Sequence, residues 1–360
     1  MKQLYDIWLA YVMGTNCANG QQIAESGFGP RLFYNCREDL SQFNIFTTRQ
    51  MEMAAATSID DVAGIHKLHL ANNIKSVNYT DGEYPDRFRH IHAQPLVLFY
   101  KGDLSLLNAE YTVGIVGSRR CSAEGEKACS LIATEVATGG AVVISGLAQG
   151  VDSIAHRNAV EANGKTVAFL GTALDEYFPK TNKSFQDKLS RQHLVVSEFH
   201  CTYPYYSANF IYRNRLIAAA SDALCVVQAK ERSGSLATVN RAIEYDRPVF
   251  TVPGSIFSPA YSGSNRLLTD GIARAVTNGR QILEYLGVET QQQEEETGPD
   301  YSSLDETAMA VLKVMDGAMN ANLIIRGSGL KANVVKATLT SLEIDGWVTR
   351  TDTGEYIRTK

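Results

Sequence analysis

The sequence predicts an α/β protein: a mostly parallel sheet with helices on both faces, with a small helical domain before it and another small domain after it. Three observations predict this. From Thr112 to about Gly287, short apolar runs alternate with helix-period segments across short connections. The runs TVGIV, AVVI, KTVAFLG, HLVVSEF, ALCVVQA and PVFTVPG are continuous rather than alternating, which implies strands buried on both faces and hence parallel pairing beneath covering helices. Several of these runs stop at a turn rich in glycine and serine before the next helix. In such a sheet ligands gather beyond the carboxyl ends of the strands, so these turns are where function is sought.

Bulk properties bound the rest. A chain of 360 residues has room for one main domain and one or two small ones. With 44% hydrophobic and 20% charged residues the composition is that of a soluble globular protein, and no apolar run is long enough to cross a bilayer. The opening MKQLYDIWLAYVMG is interrupted by Asp6 and lacks a small-residue cleavage site, so no secretory signal is expected. Cys17, Cys36, Cys121, Cys129, Cys201 and Cys225 form no CxxC and no Cys/His metal spacing, which points to reduced thiols in the cytoplasm and suggests no metal site. A net charge of −5 disfavours indiscriminate attraction to nucleic acid. Exposed charges more than roughly 8 Å apart are nevertheless screened from one another at physiological salt, so a local basic groove stays open to the chain.

Taken in order, residues 1–76 read as a small, mainly helical domain, with LYDIWLAYVM, QQIAESGF, REDLSQFNIF and TRQMEMAAAT as its segments and Gly14, Gly20 and the GFGP turn between them. Residues 77–287 form the main domain. Its lead-in, IKSVNYTDGEYP followed by PLVLFYKGD, reads as short strands added to the sheet edge. Within it NKSFQDKLSR, NFIYRNRLIAAAS and SLATVNRAIEY read as covering helices. The polar, acidic stretch 288–300 reads as a linker. Residues 301–360 then show helices near 304–315, 321–325 and 331–343, the third with Ala332, Val335, Leu339 and Leu342 on one face, and two short strands about a DTG turn. That is a winged-helix plan. Seven Lys/Arg against seven Asp/Glu in this tail give it little electrostatic footprint, which favours protein contact over DNA.

The turns carry the candidate chemistry. Small residues let a backbone approach a ligand, and the amides opening the next helix are unpaired donors that hold an anion. In Gly117-Ser118-Arg119-Arg120, Arg119 can fork two hydrogen bonds onto one phosphate; taken alone, the turn reads equally as a plain sheet-to-helix connection with a solvated arginine pair. The second turn runs from Ser145 and Gly146 through Gly150 to Asp152, which reads as a helix cap rather than a catalytic carboxylate, while His156 reads as a packed side chain. Tyr177, Phe178, Lys180 and Lys183 place stacking faces beside cations, as single-stranded nucleic acid requires; a buried aromatic pair with exposed lysines fits as well. Arg213-Asn214-Arg215 opens an apolar helix with cations aimed back at the strand ends, and Arg232 with Ser233-Gly234-Ser235 forms a third anion seat. GxGxxG is absent and no acidic residue closes the second strand, so a dinucleotide cofactor is disfavoured.

The ordered series GIVGSRR, VVISGLAQGVDSIAH, GTALDEYFPKTNK, VVSEF, FIYRNRLIA, SGSLAT, VFTVPG and SGSNRLL resembles the DNA-processing protein A family (DprA, also called Smf) over at least residues 75–286. The resemblance implies a Rossmann-like domain that binds single-stranded DNA without sequence preference. It also implies a non-enzymatic role: protecting incoming strands and helping to load a RecA-type recombinase in natural transformation and DNA recombination, usually as a homodimer. Carried over residue by residue, Ser118, Arg119, the stretch from Ser145 to Asp152, Lys180, Lys183, Arg213 and Arg215 become the leading DNA contacts. The amino-terminal helices correspond to the family's variable helical domain, although the GxG turn of a helix-hairpin-helix is missing there, and the tail resembles the winged helix of some members. Ile211 stands where the family pattern has proline. The rival reading is a nucleotide-binding sensor or a LOG-type phosphoribohydrolase using the same pocket. Its PGGxGTxxE element would fall on SGSLAT, with Arg241 in the place of the acid-base glutamate.

Overall fold

The structure is a computed structural model that describes residues 1–14, 18–89, 91–289, 304–351 and 354–359. Most of the predicted linker, Cys17, and Asp352 and Thr353 of the DTG turn lie outside the described residues. The chain forms two compact units, Met1–Thr290 and Gln291–Lys360.

The first unit opens with α1 (Lys2–Met13), α2 (Gly20–Glu25), α3 (Pro30–Asn35), α4 (Thr48–Ala56) and α5 (Ala63–Ala71). Local chemistry explains their ends: Pro30 occupies the first turn of α3, and Thr47 with Gln50 closes a capping box on α4. REDLSQFNIF, expected as a helix, yields one 3₁₀ turn, Leu40–Phe43, because Asn44 follows in the left-handed conformation at φ 56°. Buried Trp8 donates its indole N–H to the Thr57 carbonyl at 2.8 Å, and buried Asp6 accepts from Ser76 at 2.6 Å and Asn78 at 2.8 Å, tying α1 to the sheet. These helices and the sheet share one hydrophobic cluster.

Nine strands make the sheet: β1 (Lys75–Asn78), β2 (Val97–Gly102), β3 (Thr112–Val116), β4 (Val142–Ser145), β5 (Thr166–Phe169), β6 (Leu194–Ser197), β7 (Ala223–Val226), β8 (Val249–Thr251) and β9 (Arg274–Ala275). Their order is β1-β2-β6-β5-β4-β3-β7-β8-β9. The strands from β6 to β9 in that order are parallel, and the lead-in strands β1 and β2 extend one edge antiparallel, as expected. Every residue of β3 through β8 is buried, the burial that the continuous apolar runs require.

The covering helices are α6 (Ala123–Thr138), α7 (Val151–Glu161), α8 (Lys183–Gln192), α9 (Ala208–Ala220), α10 (Ser235–Glu244), α11 (Ser262–Thr269) and α12 (Arg280–Tyr285). Successive strand residues enter opposite clusters: Val113, Val143 and Cys225 pack with α6, α7 and α12, whereas Val142, Ile144 and Leu224 pack with α9 and α10. Chain progress runs outward from β3 through β4, β5 and β6 on one side and from β7 through β8 and β9 on the other. The crevice of a doubly wound sheet therefore falls between β3 and β7.

The second unit contains α13 (Glu306–Val314), α14 (Ala321–Ser328), α15 (Ala332–Ile344) and the antiparallel pair β10 (Val348–Arg350) and β11 (Tyr356–Arg358). Asp305 and Asn320 cap the first two helices, and Gly329 ends α14 at φ 68°. Val335, Leu339 and Leu342 are buried around Trp347, whereas Ala332, expected on that face, is exposed in the first turn of α15. Among the described residues no helix is long and apolar enough to cross a membrane.

Candidate nucleic-acid interface

A cleft of about 420 Å³ opens where β3 and β7 part, lined by the three glycine- and serine-bearing turns. The first turn is fastened on both sides: Ser118 donates its N–H to the Gln228 carbonyl at 2.8 Å, and Val151 donates to the Ser118 carbonyl at 3.2 Å. Gly150 sits at φ 80°, and a Cβ there would stand 2.3 Å from the Ser118 oxygen. A Cβ on Gly117 would meet Val151 at 2.8 Å. These glycines, expected to admit a ligand, are used to bring two turns of the protein together.

Inside the cleft, two ionisable groups are buried. Asp152 lies in the first turn of α7, whose cap is Gly150, so it is not the helix cap expected. Burial raises its carboxyl above the usual range, against the pull of Arg213 and the amides of Ala148 and Gly146. Arg213, 3% exposed, donates from Nη1 to the Gly146 carbonyl at 2.8 Å and also to the Phe169 carbonyl, while its Nε is buried without a partner among the described residues. Burial lowers the guanidinium to about 10, with Asp152 opposing that shift. Arg213 lies in the second turn of α9 rather than at its start, and it pins the second turn to the end of β5. A Cβ on Gly146 would fall 2.2 Å from this guanidinium, which is why the turn carries glycine there.

Three cations remain at the mouth. Arg119, Lys230 and Arg232 line the cleft and are exposed, and none is in an ion pair among the described residues. The Arg119 guanidinium lies 5.6 Å from the centre of the Phe210 ring. Asn214 donates to the Gly234 carbonyl at 3.2 Å, and the Ser233 and Ser235 hydroxyls meet at 2.7 Å, so the third turn opens α10 towards the same space. Arg120 is exposed beside the mouth, with its backbone N–H on the Ser118 hydroxyl at 3.1 Å.

Beside the cleft lies a second hollow of about 490 Å³, walled by Tyr177, Phe178, Tyr203 and Tyr205 and bordered by Lys180. Phe178 packs 4.8 Å from Phe210 and 5.6 Å from Tyr205, so Phe210 joins the two spaces. Lys180 is exposed. Tyr177 and Lys183 are turned to each other instead: the ammonium sits 3.9 Å over the ring, and both bond Asp187, at 3.0 and 3.1 Å.

Two expected contacts fall elsewhere. Ser145 is fully buried, and its hydroxyl donates to the Ile115 carbonyl at 2.6 Å. Arg215 does not line the cleft; it is 2% exposed, donates twice to Glu198 at 2.7 Å and once to Tyr212. Burial works against its charge, but Glu198 holds the guanidinium above its ordinary range. His156 is a core residue, as expected, 2.6 Å from the Thr166 hydroxyl and pushed down to about 3 by burial. Sequence reasoning missed Lys230 and Tyr205. The signals were a lysine two places before Arg232 and the YPYY stretch before α9.

Residues 75–287 match the family described as DNA recombination-mediator protein A. The DNA processing protein DprA of Streptococcus pneumoniae is 40% identical over 222 residues, 61% of this chain and 78% of the relative. The X-ray structure of DNA processing protein A from Streptococcus pneumoniae superposes with a TM-score of 0.65 at 33% identity, covering 78% of this chain and 97% of the other. A structure of DNA processing protein A from Helicobacter pylori, concerned with that protein's unique single-stranded DNA binding mode, superposes with a TM-score of 0.54 at 30% identity over 59% of this chain and 95% of the other. The matched segment begins with β1, ends after α12 and contains all three turns of the cleft, and the chain belongs to the DNA recombination-mediator protein A family.

Proposed function

We propose that this protein binds single-stranded DNA without sequence preference along the carboxyl edge of its sheet, as a mediator and not as a catalyst. The observation that carries the reading is the combination at one edge of three exposed cations free of ion pairs among the described residues, Arg119, Lys230 and Arg232, with the exposed aromatics Phe178 and Tyr205. Cations track the sugar-phosphate backbone and rings receive bases of any kind, which gives affinity without sequence readout. Arg215, ion-paired to Glu198, and the buried Arg213 act as supports beneath that surface. Binding of a single-stranded oligonucleotide is measured across a salt series, against a duplex of the same sequence. Three neutralised phosphates give a slope of about −2 in log affinity against log salt. Equal affinity for duplex, or a flat salt series, overturns the reading.

Finer assignments follow from the same reading and the family. The central region works as a Rossmann-like domain spanning 77–287, behind a helical domain over 1–76, with 288–300 as linker and 301–360 as a winged helix that contacts protein. The chain acts in the cytoplasm as a homodimer, shields incoming single strands and hands them to a RecA-type recombinase in natural transformation and recombination. Co-sedimentation with a RecA-type recombinase on single-stranded DNA, and the sedimentation coefficient of the chain alone, test these points.

A second reading, a pocket for one free nucleotide, draws on the buried carboxyl of Asp152 at the bottom of the cleft. Against hydrolysis stands Arg241, which occupies the place of the acid-base glutamate and pairs with Glu244 at 2.6 Å. Calorimetry with nucleoside monophosphates and analysis for released base separates the two readings.

A further inference from the structure

On the far side of the cleft from Phe178, the loop after β8 holds Ile256 83% exposed and Phe257 90% exposed. Among the described residues Phe257 is the most exposed of the large apolar side chains. The loop that presents them is built rather than slack. Gly254 exchanges two hydrogen bonds with the Asn265 side chain, at 3.1 and 3.0 Å, and a Cβ on Gly254 would run into the Tyr261 ring at 2.0 Å. Ser258 closes the tip by donating to the Ser255 carbonyl at 3.0 Å.

The same segment is fastened to the loop that carries the cleft's cations. Gly263 donates to the Ala229 carbonyl at 2.8 Å, Ser264 accepts from the Ala229 N–H at 2.9 Å, and Ser262 accepts from the Glu231 N–H at 3.3 Å. Lys230 and Arg232, exposed and without ion pairs among the described residues, therefore lie on a loop bonded to the one bearing Phe257. Glu231 is the one carboxylate between them. β8 is the neighbour of β7, and strands stand about 4.8 Å apart, so the tip follows the next strand end beyond the cleft.

We propose that Phe257 is a second stacking platform for a nucleobase, so that a single DNA strand crosses the sheet edge from the Phe178–Tyr205 patch, over Arg119, Lys230 and Arg232, to Phe257. This rests on the reading of the cleft as a single-stranded DNA site. A nearly fully exposed ring offers the face a base needs, and Lys230 and Arg232, on the loop bonded to the segment that carries it, hold phosphates along the strand's path.

The test uses the full chain, a short oligothymidylate that reaches one platform and a long one that reaches both, with Arg119→Ala run in parallel. Phe257→Ala weakens the long strand roughly tenfold, the loss of one stacked base, and leaves the short strand bound as in the parent. Phe257→Trp keeps the affinity, and its fluorescence is quenched by the long strand; Trp8 and Trp347 are buried and contribute little to that change. If Phe257→Ala binds both lengths like the parent while Arg119→Ala does not, the platform is overturned and the cleft stands. If neither variant loses affinity, the cleft reading fails with it. If Phe257→Ala leaves DNA binding unchanged and sediments as a smaller species than the parent, the tip is covered by a second copy of the chain and the proposal is overturned.

Discussion

The two ends of the parallel sheet are both rich in arginine, and they differ in what faces the charge. At the amino end a hollow of about 660 Å³ is lined by Arg87, Arg89, Arg241 and Arg247. Each answers to a carboxylate: Arg87 and Arg247 to Asp222, Arg89 to Asp86 at 2.9 Å, and Arg241 to Glu244 at 2.6 Å. At the carboxyl end Arg119, Lys230 and Arg232 have no such partners among the described residues, and aromatic rings stand beside them. Counting cations would rank the amino end first. Pairing reverses the order, because an arginine already neutralised at short range offers little to a phosphate.

The largest test of this contrast strikes the amino end. Asp222 accepts from Arg87 and from the Thr112 N–H at 2.9 Å, and its side chain is 22% exposed. Asp222→Ala leaves Arg87 without its counter-charge and lowers unfolding free energy by about 3 kcal/mol in urea titration, while the folded protein binds single-stranded DNA as the parent does. A loss of DNA affinity in the folded variant would break the comparison. Next in size, replacing Arg119, Lys230 and Arg232 together by alanine lowers DNA affinity about a hundredfold in filter binding, on the order of 1 kcal/mol per charged contact, with unfolding unchanged.

A pH series sharpens the separation of scaffold from site. His156 and His69 are both buried and both held down to about 3, well below the unfolded value of 6.5. Between those two values the unfolded chain binds more protons, so their contribution to stability is whole above about pH 6.5 and is lost as pH falls. At pH 5 each sheds about 2 kcal/mol. Urea midpoints should therefore drop between pH 7 and pH 5, and a flat profile would show that the histidines are not held neutral. The smallest effect is expected from Lys180→Ala, about threefold in DNA affinity, since this lysine borders the aromatic hollow rather than the cleft.

The strands and turns were legible because their signals are local. All six apolar runs became strands, and the turns that end three of them meet at one cleft. The roles of Arg213 and Arg215 were not legible. Positions two apart on a helix point about 200° from each other, so α9 sends one guanidinium under the cleft and the other to Glu198. The sequence shows two arginines near one another; which of them meets the strand ends depends on how α9 is rotated against the sheet. The glycines were misread for a related reason, since the close approach they permit is between two turns of the protein.

By itself the amino-acid sequence determined the alternation of buried strand and covering helix, the glycine-bearing turns and the family, because apolar runs, helical periodicity and turn chemistry act over a few residues. Tertiary structure alone decided which cations stay free. Arg87 finds its carboxylate 135 positions away, at Asp222, and Gly146 meets Arg213 across 67, so the charge left for a ligand is what remains after folding has paired the rest.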